Sequence, residues 1–290
     1  MSKTLVNSIN IVVAFFIGVI NCDGRNQVST YDRDVTLTLK QKSILDEFAG
    51  IVSKKLPHKY MIEEMYLIRW LRVKNYNIPD AVNYLLQNIQ WREENRMDFI
   101  SASEDWSDMA RDFKYHIEGQ DRAAQPLLYV SVDELDIRKS VVNGKTERLL
   151  RFVDKGLEEA AQIVNTLGKK YKNVTRGQII INLFGYNLVE HGCLRCIPVI
   201  LRGILSYETH YPEYVDQLIL LNTPSIAQPL INAATALLSE STRRSLKIYG
   251  TNKRDNLKIL DTMFERDQIP LEIGGTKVYG GQALDYEDDW

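Results

Sequence analysis

None of the common catalytic signatures occurs in the 290 residues: G-x-S-x-G, a Walker loop, G-x-G-x-x-G and H-E-x-x-H are all missing. Histidine is scarce as well. His58, His116, His191 and His210 are the four present, and no two stand at the spacing of metal ligands. Without an assembled nucleophile, base and orienting group, the chain reads as a protein that performs no chemistry and takes no metal or cofactor. A basic excess is also missing, since the formal net charge is -2. Nucleic-acid binders draw most of their affinity from neutralised phosphates, so that class is disfavoured. Local basic patches that meet an anionic membrane stay open. The three cysteines, Cys22, Cys193 and Cys196, are too few and too oddly spaced for a disulfide framework, which argues for a reducing compartment. The apolar run from Ile9 to Ile20, broken only by Asn10, is too short to span a bilayer.

That same run argues the other way about compartment. It follows Lys3 and ends at Cys22-Asp23-Gly24, the outline of a secretory signal peptide, and Asn173-Val174-Thr175 is a glycosylation acceptor. Residues 1–30 are therefore expected to be a signal peptide or a disordered N-terminus and are set apart from the fold. The rest of the chain points to the cytoplasm with transient membrane association, with the secretory route open if residues 1–24 are removed.

With 44% hydrophobic and 26% charged residues, there is ample material for one large domain or a domain plus a smaller one. From Thr38 to about Ile100 the period is helical. Leu39, Ile44, Leu45, Phe48 and Val52 recur at three- and four-residue spacing, Met61 to Val73 continues the pattern, and Ile78-Pro79-Asp80 opens a third helix running to Trp91. After Pro126 the character changes. Leu127 to Val132, Gln178 to Leu183 and Leu218 to Asn222 are near-continuous apolar runs, as in strands buried on both faces. Leu149–Leu167, Ile197–Tyr207 and Leu230–Leu238 read as helices between them, and Leu246 to Tyr249 as a short strand. Strands alternating with helices give an α/β architecture behind a helical N-terminal lobe.

Three features admit more than one reading. Cys193-Leu194-Arg195-Cys196 is either a redox pair, half of a zinc site whose other ligands are missing, or simply two buried helix cysteines. Arg69-Trp70-Leu71-Arg72-Val73-Lys74 either contacts phosphate or is a solvated helix face. Leu230, Ile231, Ala234, Leu237 and Leu238 make one broad apolar stripe on an uncharged helix, suited to a core helix or to a lid over an apolar cavity.

The order of these segments resembles the CRAL-TRIO family of lipid-binding and lipid-transfer proteins, from about Thr38 to Thr276. Ile68 to Tyr76 is similar to the family's R-F-L-R-A-R-K-F, Trp91-Arg92 to its W-R pair, and Pro126 to Val130 to its R-P-V-x-Y. Tyr211-Pro212-Glu213 with Ile219 to Pro224 resembles Y-P-E-R…I-I-N-A-P, and Ile269 to Thr276 resembles L-P-x-E-x-G-G-T. The resemblance implies a helical lobe at 31–105 and a lipid-binding domain at 106–278 with a mixed, mainly parallel sheet covered by helices; the residues beyond, 279–290, read by their own composition as an acidic tail. The resemblance also implies one hydrophobic ligand, a phospholipid, phosphoinositide or isoprenoid-like molecule, held in an internal pocket of a monomer and carried between membranes. The expected pocket residues are Tyr129, Ile181, Leu183, Ile200, Leu201, Ile204, Leu221 and Ile226, with Leu230 to Leu238 as gate helix. Headgroup positions carried over from phosphatidylinositol-binding members are Glu213, Thr242 and a first-lobe base, Arg72 or Lys74. The family's lysine is replaced by Ser245, leaving Arg244 and Lys247 beside it, and Tyr214 stands where the arginine of Y-P-E-R would. Alternatives are a lipid-sensing module without net transfer and a C-x-x-C redox protein.

Overall fold

The computed structural model describes residues 30–171 and 173–279. The expected signal peptide, nearly all of which precedes residue 30, and all of the acidic tail beyond residue 279 lie outside the described residues. Among the described residues, no helix is long and apolar enough to cross a membrane.

A short helix, α1 (Thr30–Val35), precedes the N-terminal bundle of α2 (Leu39–Val52), α3 (Glu64–Val73) and α4 (Ile78–Glu94). Local chemistry sets the helix starts. The Thr38 hydroxyl accepts from the Gln41 amide while the Gln41 side chain accepts from the Thr38 amide, a reciprocal cap. Asn77 caps α4, whose Pro79 sits where a missing N–H costs nothing. Phe48, Val52, Leu67, Trp70, Leu71 and Leu85 form the lobe's core.

The second lobe holds α5 (Ser107–Ala110), β1 (His116–Gln120), β2 (Pro126–Ser131), α6 (Ile137–Val142), α7 (Thr146–Tyr171) and β3 (Gly177–Asn182). It continues with α8 (Cys196–His210), β4 (Val215–Leu221), α9 (Gln228–Leu237), α10 (Glu240–Ser245), β5 (Leu246–Ile248) and α11 (Lys253–Met263). The strands stand in the order β1-β2-β3-β4-β5, with β1 antiparallel to β2 and every other neighbour parallel. The sheet is mixed and mainly parallel, as the resemblance implied. Strand β1, His-Ile-Glu-Gly-Gln, carries too little apolar character to be seen in the sequence.

Pairing register separates the two faces. Tyr129, Ile180 and Ile219 lie side by side, and with Leu127 and Leu221 they are wholly buried against Leu260 and Phe264 near α11 and against Ile269. The alternate residues fall in two rows, Leu128–Ile179–Leu218 and Val130–Ile181–Leu220. They point to the opposite face. Five of these six are only half-buried, although α7, α8 and α9 belong to the crossovers of this sheet. One face is a sealed core; the other is an open apolar floor.

Candidate functional site

A cleft opens on the loose face at the N-terminal ends of the strands. It measures about 410 Å3 out to its open mouth, with about 30 Å3 of room for the centre of a water molecule. Leu128 and Ile179 supply its floor, Leu157, Ala160 and Val164 of α7 one wall, and Tyr207, Tyr211 and Tyr214 the other. Small residues make the space: a side chain on Gly177 would approach the Pro126 carbonyl to 3.0 Å and Val164 to 3.4 Å. The larger figure takes in solvent at the mouth, and the enclosed room lies far below the roughly 300–1,000 Å3 of ligand pockets, so a lipid chain enters only if the helices over the cleft move apart. A larger guest needs the neighbouring half-open row of Val130, Ile181 and Leu220.

The expected pocket residues divide accordingly. Ile181 lies on the open row and is half-buried, as are Ile200, Leu201 and Ile204 on α8. Leu183 packs with Val132, Ala227 and Ile231 at the upper end of the same side. Tyr129 and Leu221 do not belong. They are buried on the opposite, sealed face, because side chains alternate along a strand and both stand one residue out of phase with Ile181 and its partner Leu220. Ile226 is 51% exposed on a short turn before α9 and is not among the residues that line the cleft. The cleft's own walls, Leu157, Ala160, Val164 and the three tyrosines, escaped the sequence reading; the tyrosine spacing at 207, 211 and 214 was the available signal.

Helix α9 turns its stripe inward. Ile231 and Leu238 are buried, Leu230, Ala234 and Leu237 half-buried, while Asn232, Ala233 and Ala236 face solvent. It packs on α8, and its first turn sits on Leu183 and Val132.

The polar residues gather at the foot of the sheet. Glu213 adopts a left-handed backbone (φ 62°), which presents its carbonyl to Arg69 Nη1 at 2.7 Å. Its carboxylate accepts from Ser241 Oγ at 2.6 Å and from Arg176 Nη2. Burial opposes the Glu213 charge, but the charge of Arg176, the Ser241 hydroxyl and the charge of Arg72 outweigh it, holding the carboxyl below its ordinary value. Arg176 also clasps Asp34 of α1 at 2.7 and 3.0 Å, Thr175 donates to Asp34 at 2.8 Å, and Arg72 donates to the Asp34 carbonyl at 2.5 Å. Burial again raises the Asp34 pKa, and the Arg176 hydrogen bond and charge more than reverse it.

Glu213 and Arg72 are thus brought together, while Thr242, buried one residue beyond Ser241, is bonded instead to the Ser239 hydroxyl at 3.0 Å. Lys74, Arg244 and Lys247 are not. Lys74 lies 3.8 Å over the Tyr84 ring, Arg244 pairs with Glu240 in solvent, and Lys247 donates to the Arg244 carbonyl. Sequence reasoning missed Arg176 and Asp34. The signal was an arginine at the mouth of a strand buried on both faces, where a charge must find partners.

Cys193 and Cys196 are joined in a disulfide, where buried thiols were one expectation.

A profile of the CRAL/TRIO domain matches residues 110–275, more than half of the chain. "Protein real-time" of Anopheles gambiae is 24% identical over 218 residues, covering 72% of this chain and 31% of its own length. The protein of the same name from Aedes aegypti is 24% identical over 243 residues, covering 81% and 37%. The chain therefore spans about a third of the length of these curated relatives. Among solved structures, Sfh5 superposes with a TM-score of 0.63 at 12% identity, over 79% of this chain and 85% of that one, a likeness of fold. The domain match, on a chain whose sheet and helices follow the same architecture, means that the protein belongs to the CRAL/TRIO domain family.

Proposed function

We propose that the chain binds one hydrophobic lipid between the open face of its sheet and helices α7, α8 and α9, and carries it between membranes without altering it covalently. The supporting observation is the open floor. Five aliphatic side chains at the centre of a sheet remain half-exposed beneath crossover helices while their counterparts on the other face are sealed. Folding alone leaves that apolar surface in contact with water. An acyl or isoprenoid chain would cover it, at roughly 0.8 kcal/mol per CH2 buried. Release then needs α9 to move off α8, and it moves most readily at a membrane, where Leu230, Ala234 and Leu237 meet lipid in place of water. Glu213, Arg72, Thr242 and Arg176 form the polar end, suited to the phosphate and hydroxyls of a phosphoinositide or phospholipid headgroup. The protein's expected site of action is the cytoplasm and transiently the membrane surface, as a monomer.

Native mass spectrometry with lipid extraction on purified protein is the test. One lipid per chain is expected, together with vesicle-to-vesicle transfer. Protein that stays empty in the presence of mixed phospholipid vesicles sinks the reading. Binding without transfer favours a lipid-sensing module, a reading supported by the greater length of the curated relatives.

A further inference from the structure

The cleft leaves Cys193-Leu194-Arg195-Cys196 unused. Its two sulfurs are unequal. Cys196 is wholly buried at the first position of α8, while Cys193 is half-buried one turn ahead of it. The Cys196 amide donates to Cys193 Sγ at 3.1 Å. Cys193 therefore sits at the positive end of a 15-residue helix, its sulfur and its carbonyl both facing the Cys196 amide. Arg195, exposed beside it, has no ion-pair partner among the described residues. The nearby charges do not compete. His191 is buried and engaged on both ring nitrogens, Nδ1 with the Asn187 amide and Nε2 with the Val132 carbonyl. The Glu190 carboxylate is taken by the Asn187 side chain.

The pair closes a segment of unusual character. Between β3 and α8, Phe184, Leu188, Val189 and Leu194 are 56%, 48%, 64% and 89% exposed, while the preceding Leu183 packs on Ala227 and Ile231 at the start of α9. The hydrogen bonds of this loop gather around Asn187, Glu190 and His191, with ties to the Val132 carbonyl and the Arg138 amide, and leave Leu188, Val189 and Leu194 outside them. The disulfide is its one covalent tie.

We propose that Cys193 and Cys196 form a reversible thiol–disulfide couple, opened by a small-molecule thiol such as glutathione attacking Cys193, and that it sets the order of this apolar loop. The incoming thiolate bonds to Cys193 Sγ, the Cys193–Cys196 bond breaks, and its electron pair goes to Cys196, which takes up a proton. A second thiolate then attacks the small-molecule sulfur of the mixed disulfide, Cys193 leaves as thiolate, and the small-molecule disulfide departs with two electrons fewer than the two thiols that formed it. The reverse sequence closes the couple.

The test uses the full chain in a Cys22→Ser background, so that Cys22 contributes no adduct. Protein equilibrated in glutathione buffers of graded redox ratio is alkylated and weighed. A smooth conversion between dithiol and disulfide is expected. A Cys196→Ser variant should accumulate a glutathione adduct on Cys193, at least tenfold faster than Cys193→Ser gains one on Cys196. Hydrogen exchange of amides 184–195 should quicken at least tenfold in the dithiol form. A pair that stays in one state at every ratio, equal adduct rates, or identical exchange in both states overturns the proposal. None of these readouts involves lipid, so its failure leaves the cleft untouched.

Discussion

Arg92 illustrates what the W-R pair is for. It makes two hydrogen bonds to Glu158 of α7, at 2.7 and 2.8 Å, and one to Asp98 at 2.6 Å, while Tyr211 of the Tyr-Pro-Glu segment donates to the same Glu158 at 3.0 Å. Trp91 stacks on His210 with centroids 3.5 Å apart. Two segments that resemble family motifs thus meet each other, and their work is to join lobes. Removing one partner leaves a buried charge unpaired, so Arg92→Met should cost about 3–5 kcal/mol, read as a lower urea midpoint with an unchanged slope. His210 adds a pH dependence. Burial first, then the charge of Arg92, lowers its pKa to about 4, and Nδ1 accepts from Asn88 in the neutral ring. The unfolded chain takes up the proton near pH 6.5 and the folded one only near 4, so stability falls as pH drops through that window, by at most about 1.4 kcal/mol per pH unit. Urea midpoints between pH 7 and 4 should lose that part of their slope in His210→Phe; an unchanged slope refutes the assignment. Sequence alone named Trp91 and Arg92 but gave them no partners: Asp98 is near, yet Glu158 and His210 lie more than sixty residues away and depend on how the lobes dock.

At the scale of elements, the apolar runs were easy to recognise as strands and their two faces were not. Gln178 to Leu183 and Leu218 to Leu221 are apolar at nearly every position, so period-two alternation gives no clue to which residues look into the sealed core. Only register against β2 and the packing of α11 decides it. That is why Ile181 was placed with the open face alongside Tyr129 and Leu221, which belong to the other. The stripe on α9 was legible because a helix shows its face in its own spacing, and Ile231 and Leu238 are indeed turned inward. Whether a stripe covers a cavity or a core depends on what lies beneath, and no local pattern holds that information. The open row offers a clean perturbation. Ile181 and Leu220 are cross-strand neighbours, both half-buried and packed beside Leu183 and Ile231 near the start of α9, so Ile181→Trp fills the open row at the edge of that cluster. It should reduce lipid occupancy in native mass spectra at least tenfold while moving the melting temperature by only a few degrees, about 1 kcal/mol. Tyr129→Ala, on the sealed face, should do the reverse. It should lower stability by about 3–5 kcal/mol and leave occupancy in the surviving folded fraction unchanged. Equal loss of occupancy in both would show that the open row has no special part in binding.

At the scale of the whole molecule, the two lobes are held by two buried ionic clusters, one around Glu158 and one around Arg176. The second ties α1, α3, the entry to β3 and the Tyr-Pro-Glu turn to one point: Arg69 donates to the carbonyls of Thr175 and Glu213, and Arg176 bonds both Asp34 and Glu213. Such clusters add little net stability when intact, because desolvation offsets attraction, yet they fail badly when one member is lost. The acid response follows from the sign of the shifts. Asp34 and Glu213 are both held below their ordinary values, 3.8 and 4.5, so their contribution is complete above about pH 5 and drains away as pH falls through still lower folded values. Arg176→Met removes the cation common to both. Their pKa values should then rise toward or above the ordinary ones, so the part of the acid fall in stability that Asp34 and Glu213 contribute should flatten, beneath a loss of about 3–5 kcal/mol at pH 7. Tryptophan fluorescence can follow the melt separately in each lobe in single-tryptophan backgrounds, one keeping Trp70 in the core of the helical lobe and one keeping Trp106, which packs on Phe152 in the other. The parent chain should melt with both signals together. Arg176→Met should separate them, since the lobes would retain their own cores and lose their common anchor. A variant in which the two signals still coincide, with stability falling in acid as steeply as in the parent, would mean that apolar contact alone couples the lobes and that the buried charges are bystanders.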